Sequence, residues 1–324
     1  MREVNLVEER LIELLQLALK RKASDIHISI IDEQVVIEYR INEELIKIPT
    51  IKEDERLIKY LQYKSNLDMG NLSKPASGRF DIYINGLLKT LRFSVIYSKN
   101  IVNGVIRILN YDLNLNINNI SSDLEQIEYF KNIINIKHGL ILFCGPTSSG
   151  KTTTIYTLLD YLKDKKIYTI EDPIEIVSLN YIQLQVNQEN DYNYDACIKQ
   201  VLRHDPDIIM IGEIRDELTA KMALRATLTG HLVISSIHAY DPISCLNRLK
   251  DLNIDISILN DSLECIINQR LFESYKGKDR RAIYEIFNKE QIQYYIKKNT
   301  INKKHKSLNY NIEQAIKQKT IKSK

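Results

Sequence analysis

Apolar residues recur at helical spacing through 6–19, with Leu11, Ile12, Leu15, Ala18 and Leu19 on one face, and predict an amphipathic helix. The period then drops to two: residues 24–30 and 35–41 alternate apolar with polar and predict half-buried strands. A helical stretch follows near 54–63, then a turn region at Pro75 and Gly78 and strands over 79–84, 88–97 and 104–109. Residues 1–109 thus read as a small α+β domain. The Asn-rich stretch 110–120 holds no sustained period and predicts a linker. Over 121–288 short apolar strands alternate with helices, the pattern of a doubly wound, mostly parallel α/β sheet.

The strongest chemical signal interrupts that alternation. An apolar run over 140–144 predicts a buried strand, and 153–162 has helical apolar spacing. Between them Gly145, Pro146, Thr147, Ser148, Ser149, Gly150, Lys151 and Thr152 complete a G-x-x-x-x-G-K-[ST] phosphate loop, with Thr153 following. Loop amides and a helix N-terminus point at an anion there, since Gly145 and Gly150 put no Cβ in the way. Lys151 is placed to reach β- and γ-phosphates, and the Thr152 hydroxyl to ligate Mg²⁺. A chance glycine turn before a helix is the bland alternative; strand, loop and helix together favour a nucleoside triphosphate.

Ligands of open α/β sheets gather at the carboxyl ends of strands, and three more polar clusters fall at such ends. The strand over 167–170 leads into Glu171, Asp172, Pro173, Ile174 and Glu175; the one over 207–211 into Gly212, Glu213, Ile214, Arg215 and Asp216. A third, over 232–237, leads into His238, with His231 just ahead of it. Glu213 follows a strand of Walker B type and could ligand Mg²⁺ through water or polarise the attacking water; otherwise it is a surface acid after a core strand. Glu171 and its neighbours could be ordinary helix-start acids, and His238 a satisfied core histidine. Beside a nucleotide, the His238 imidazole could instead report on the γ-phosphate.

Net charge is +3, which by itself argues for no partner, but its distribution is uneven. Ten lysines lie in 289–324 against Glu290 and Glu313, so the body before this segment is net acidic. The basic segment reads first as a solvated, frayed terminus, and second as an arm drawn to anionic lipid or nucleic acid. The acidic body offers no basic groove with interleaved aromatics, which argues against direct nucleic-acid binding. The four cysteines form no C-x-x-C pair, so no zinc site is expected. No signal peptide and no apolar run near the ~20 residues of a membrane span are visible, which predicts a cytosolic chain.

Taken in order, these clusters resemble the secretion ATPases of type II secretion, type IV pilus and competence systems, over about 23–287. The matching strings are Ala-Ser-Asp-Ile-His at 23–27, the phosphate loop, Ile-Glu-Asp-Pro-Ile-Glu at 170–175 and Leu-Arg-His-Asp-Pro-Asp at 202–207. Gly-Glu-Ile-Arg-Asp at 212–216, Leu-Thr-Gly-His-Leu at 228–232 and Gln-Arg-Leu at 269–271 complete the set. The resemblance implies a RecA-like ATPase domain after a PAS-like N-terminal domain, with ATP and Mg²⁺ bound. It makes Glu171 part of the family's Asp box, Glu213 its Walker B glutamate, and His231 and His238 its His box. Arg92 and Arg107 resemble family arginines that reach nucleotide from the N-terminal domain; otherwise they are solvent-facing strand arginines.

The resemblance also implies a homo-hexameric ring, peripheral at the cytoplasmic face of the membrane, that works a polytopic platform protein. The chain begins almost at the Ala-Ser-Asp-Ile-His domain and lacks a four-cysteine module after Gln-Arg-Leu. Residues 281–287 resemble the assembly branch, so the competence pseudopilus assembly ATPases of Gram-positive bacteria, which serve DNA uptake, are the nearest pattern. Two departures stand out: Leu218 where the family usually has Glu, the acid being at Glu217, and Arg40-Ile-Asn-Glu43 where it has Arg-x-Asp-Gly. A retraction or DNA-translocating ATPase of the same core, and a nucleotide-gated scaffold with negligible hydrolysis, are the competing expectations.

Overall fold

A computed structural model describes residues 2–41, 44–69, 74–108, 115–162, 164–186, 192–277 and 279–323. The chain divides into two compact units, Met1–Tyr111 and Asp112–Lys324.

The first unit runs α1 (Arg2–Lys20), β1 (Asp25–Ile31), β2 (Gln34–Ile41), β3 (Glu44–Ile48), a 3₁₀ turn (Lys52–Arg56), α2 (Leu57–Lys64), β4 (Ala76–Ile84), β5 (Leu87–Ser98) and β6 (Ile101–Ile108). Its six strands form one antiparallel sheet in the order β3-β2-β1-β6-β5-β4. Leu11, Leu14 and Leu15 of α1 and Leu57 and Leu61 of α2 share a core with Ile26, Tyr39, Phe93 and Ile106, the alternate residues of four strands. The Tyr39 hydroxyl donates to the Leu14 carbonyl at 2.7 Å, tying α1 to the sheet. Buried Asp54 accepts from Arg10 Nε at 3.0 Å and from the Ile51 amide at 2.8 Å, so its charge is satisfied on both oxygens.

Residues of the other parity carry the polar face. The register places Arg40, Asp25, Arg107, Arg92 and Arg79 side by side across five strands. Within that row Arg107 Nε donates to Asp25 Oδ1 at 2.8 Å.

The second unit continues with α3 (Leu124–Ile133), β7 (Gly139–Cys144), α4 (Lys151–Asp160), β8 (Ile167–Glu171), β9 (Ile182–Gln185), α5 (Tyr194–Val201), β10 (Ile208–Ile211), α6 (Glu217–Leu228) and β11 (Leu232–Ile237). It ends with α7 (Pro242–Asp251), α8 (Ile256–Ser262), β12 (Leu263–Glu273), β13 (Arg280–Asn288), α9 (Lys289–Lys298) and α10 (Leu308–Lys317). The sheet order is β13-β12-β7-β11-β10-β8-β9, parallel except for β13, which pairs antiparallel with β12. Strands β7, β8, β10 and β11 are buried at every position, which is why the sequence reads there as continuous apolar runs. Helix starts are set by Asp123, Asn193, Asp216, Asp241 and Asp255, each accepting a backbone N–H of the first turn.

The carboxyl ends of the central strands lie level. Cys144 pairs with Ile237, Ile211 with Ser235, and Ile170 with Ile211, so the segments that follow β7, β8, β10 and β11 leave the sheet along one edge.

Two expectations change. Of the expected linker, residues 110–114 lie outside the described residues, and Ile117 and Ile120 beyond them are buried rather than loose. The basic segment expected to fray is instead two capped helices. Asn288 and Gln291 form a capping box for α9, which buries Ile292. Ser307 caps α10, whose Ala315 packs with Ile283 and Ile321. Several lysines there are paired rather than solvated alone: Lys306 with Glu125 at 2.6 Å and Lys322 with Glu273 at 2.9 Å.

Candidate nucleotide site

The loop between β7 and α4 turns on two glycines in the left-handed region, Gly145 at φ 146° and Gly150 at φ 86°. At Gly145 an added Cβ would lie 2.6 Å from the Gln269 carbonyl oxygen, and at Gly150 2.9 Å from Gln269 Nε2. Gln269, on β12, is therefore the wall against which the loop is folded. Its amide donates to the Ser149 carbonyl at 2.8 Å, both groups buried. Pro146, Thr147 and Ser148 are exposed along the outer rim of the loop, whereas Thr152 and Thr153 lie half-buried in the first turn of α4.

Lys151 is 7% exposed and donates to the carbonyls of Gly145 at 2.9 Å and Pro146 at 3.0 Å. Burial holds its pKa below the usual lysine value, partly offset by the field of Glu213. The Ser149 hydroxyl is buried with no hydrogen-bond partner among the described residues. A partnerless donor, a desolvated ammonium and the start of a helix at one point form a cradle that fits polyphosphate oxygens.

Level with the loop, Glu213 follows β10 and His238 follows β11. Glu213 Oε1 lies 3.2 Å from His238 Nε2, and Glu213 Oε2 accepts from Arg215 Nε at 2.9 Å. Arg215 reaches on to Asp172 at 3.5 Å, so one guanidinium links the acids that follow β8 and β10. The Glu213 contact keeps Arg215 firmly protonated, above the usual arginine pKa.

Glu171 is placed differently from its neighbours. It is 3% exposed and points under the site, accepting from the Tyr156 hydroxyl at 2.6 Å and the Thr169 hydroxyl at 2.7 Å. Burial raises its pKa, opposed by these two hydrogen bonds. Gln183 closes the network by donating to Tyr156 and to the Ile176 carbonyl, both at 2.8 Å. The carboxylates of this cluster nearer solvent belong to Asp172 and Glu175.

The structure does not bring His231 to this edge. It precedes β11, its carbonyl accepts from the Gly139 amide at the start of β7, and its ring lies against Thr229 and the Ala226 carbonyl. A whole strand, β11, separates it from His238. Arg92 and Arg107 belong to the first unit, on the polar face of its sheet. The shifted Glu217 is engaged with Lys221 and with Asn253, at 2.8 Å from the latter, while Leu218 is exposed. Among the described residues no group of three or more His, Cys, Asp or Glu side chains could hold a metal ion.

Sequence reasoning singled out Gln269 only as part of a matching string and gave no role to Tyr156, Gln183 or Arg215. The signal for Gln269 was its place in a strand with Asn268 ahead and Arg270 behind: adjacent polar residues inside an otherwise apolar strand need partners.

A family model described as Type II/IV secretion system protein matches residues 2–323. The chain is 35% identical over 274 residues to competence protein ComGA of Bacillus subtilis (strain 168), covering 83% of this chain and 75% of that protein. It is 37% identical over 259 residues to the putative type II secretion system protein E of Escherichia coli (strain K12), 78% of this chain and 52% of that protein. It thus spans about three quarters of the competence relative and about half of the secretion relative. Among solved structures, the pilus retraction motor PilT with bound ADP aligns at a TM-score of 0.69 and 26% identity, covering 96% of this chain and 94% of that one. The Legionella pneumophila ATPase DotB shares the fold at a TM-score of 0.76 and 19% identity.

Fold and site define a phosphate-loop ATPase with a RecA-like sheet. The chain belongs to the type II/IV secretion system protein family, and with it to the ATPases of secretion and pilus-type assembly.

Proposed function

We propose that this ATPase is the cytoplasmic motor of a competence pseudopilus, hydrolysing ATP to drive pseudopilin assembly for DNA uptake. The observation that carries the enzymatic half is the level placement of the phosphate loop, Glu213 and His238 along one sheet edge. The competence half rests on the 35% identity to ComGA across 83% of the chain. In this reading Lys151, Thr152, Thr153, the amides of 145–150 and the Ser149 hydroxyl hold the ATP phosphates. Thr152, and Glu213 through water, would hold Mg²⁺, which when bound would supply charge neutralisation at the phosphates. Glu213 positions and polarises the attacking water, and His238, within hydrogen-bond reach of it, fixes the orientation of that carboxylate. Arg215 balances charge between Glu213 and Asp172, and Glu171 holds α4 to the segment after β8. Arg92 and Arg107 are the cations that reach the γ-phosphate from the first unit, of the same chain or of a neighbour in a homo-hexameric ring. The ring sits peripherally at the cytoplasmic membrane face and works a polytopic platform protein.

The likeness to a retraction motor favours one other reading, in which the same core withdraws a filament. Steady-state ATP hydrolysis with and without the platform protein, alongside transformation and pseudopilus formation in cells carrying Lys151→Ala, tests the proposal. Stimulated hydrolysis in wild type and loss of both phenotypes in the variant are expected. Normal pseudopili that fail only to retract would favour retraction instead.

A further inference from the structure

A buried polar chain runs from the C-terminal helical segment to the phosphate loop. His305, in the connection between α9 and α10, has a side chain only 3% exposed, and its Nε2 donates to Glu285 Oε1 on β13 at 2.8 Å. The other oxygen, Glu285 Oε2, accepts from Asn268 Nδ2 on β12 at 3.0 Å. Asn268 Oδ1 in turn accepts from Arg270 Nη1 at 3.2 Å. Arg270 also donates to the Tyr240 carbonyl at 2.8 Å, two residues beyond His238, and stacks on the Tyr240 ring at 5.0 Å. Its Nη1 lies 3.2 Å from where a Cβ on Gly145 would stand. Between Asn268 and Arg270 stands Gln269, whose amide holds the Ser149 carbonyl.

We propose that His305 and Glu285 are positioning residues for the phosphate loop, acting through Asn268, Arg270 and Gln269. The proposal rests on the nucleotide-site reading above. Each link is polarised by the next. A carboxylate at 285 accepts on both oxygens, and this fixes Asn268 with its amide toward β13 and its carbonyl toward Arg270. Arg270 so anchored presses its guanidinium between Gly145 and Tyr240, and thereby touches the segments that follow β7 and β11. Links of this kind gain strength in a low-dielectric interior, and a break leaves a buried donor or acceptor without a partner. The C-terminal segment is joined to the same strand a second time: Asn311 of α10 donates to the Tyr284 carbonyl at 2.9 Å, and the Tyr284 hydroxyl meets Thr154 of α4 at 3.2 Å. Helix packing around α9 and α10 is therefore set against the loop and the first turn of α4, and a partner that shifted this segment would change how the loop holds phosphate.

The test measures Mg-ATP affinity and the split between KM and kcat in the full chain. Glu285→Gln is nearly isosteric, but its one amide oxygen cannot accept from both His305 and Asn268, so the doubly accepting anchor that orients Asn268 toward Arg270 is lost. It is expected to weaken Mg-ATP binding about tenfold and to raise KM more than it lowers kcat. His305→Ala should behave alike, and His305→Gln, which restores a donor near the same place, should recover most of the affinity. Wild-type affinity in both Glu285→Gln and His305→Ala would overturn the proposal, as would equal weakening in His305→Ala and His305→Gln, which would mark a packing effect alone. Lys151→Ala separates the two levels: if it binds Mg-ATP normally, the nucleotide-site reading has failed, whereas if it alone loses binding, only the coupling has.

Discussion

His238 Nε2 stands 3.2 Å from Glu213 Oε1, each on the first turn beyond a neighbouring strand, while Arg215 holds the second oxygen of the same carboxylate. A carboxylate oriented from both sides and level with a phosphate loop suits the positioning of water for an in-line attack. Glu213→Gln is therefore expected to leave Mg-ATP binding nearly intact and to lower hydrolysis by about 10²–10³-fold. Single-turnover hydrolysis checks it, and normal turnover would move the water-positioning role to another acid.

Glu171→Gln should do something else. Burial places the Glu171 pKa above its unfolded value, so wild type gains stability from this group at acid pH and loses it as pH rises through the folded pKa. Relative to Glu171→Gln, wild type is expected to melt progressively lower as pH rises from below the ordinary carboxylate range toward neutrality. Paired thermal melts across that range give the sign directly.

The two arginines of the first unit differ in what their removal costs. Arg107 pairs with Asp25, which is 6% exposed and also accepts from the Ser24 hydroxyl at 2.8 Å, so Arg107→Ala takes the guanidinium from a buried carboxylate. That change is expected to cost about 1 kcal/mol of stability in addition to any loss of turnover, since the guanidinium itself is half exposed. Arg92→Ala is the cleaner probe: turnover should fall by more than binding, with a melting temperature near wild type. Equal kcat values for Arg92→Ala and wild type would remove this residue from the catalytic machinery.

His231 gives a negative control. It lies at the amino end of β11, against Thr229 and the Ala226 carbonyl, so His231→Ala is expected to leave Mg-ATP affinity of the dilute monomer unchanged, while His238→Ala lowers turnover. Calorimetric titration of His231→Ala with Mg-ATP and steady-state hydrolysis by His238→Ala check the distinction.

The strands, the loop and the edge on which the site forms were legible because each rests on local rules: apolar runs for buried strands, glycines for left-handed turns, polar residues just past strand ends. What each polar residue does at that edge was less so. His231 and His238 sit in one motif, yet the six residues of β11 between them carry one to each end of the sheet. Glu171, Asp172 and Glu175 look alike in sequence, and the one that turns inward is met there by the Tyr156 hydroxyl on α4, fifteen positions earlier, and by the Thr169 hydroxyl. The C-terminal segment misled through its charge. Its lysines suggested a frayed end, whereas Ile292 with Tyr295 and Ile296, then Ile312 with Ala315 and Ile316, already carried helical spacing. Chain-distant pairs such as His305 with Glu285 follow no local rule and came only with the fold.

The claim that matters most is that this chain hydrolyses ATP at the loop built on Gly145, Gly150 and Lys151. Phosphate release from Mg-ATP by the purified full chain, measured beside Lys151→Ala, addresses it in one assay. The account expects steady release by wild type and release at the buffer background by the variant, because no other cation in the loop reaches the β- and γ-phosphates. Equal release by the two proteins, or none by either under conditions where wild type binds Mg-ATP and its platform partner is present, would contradict it.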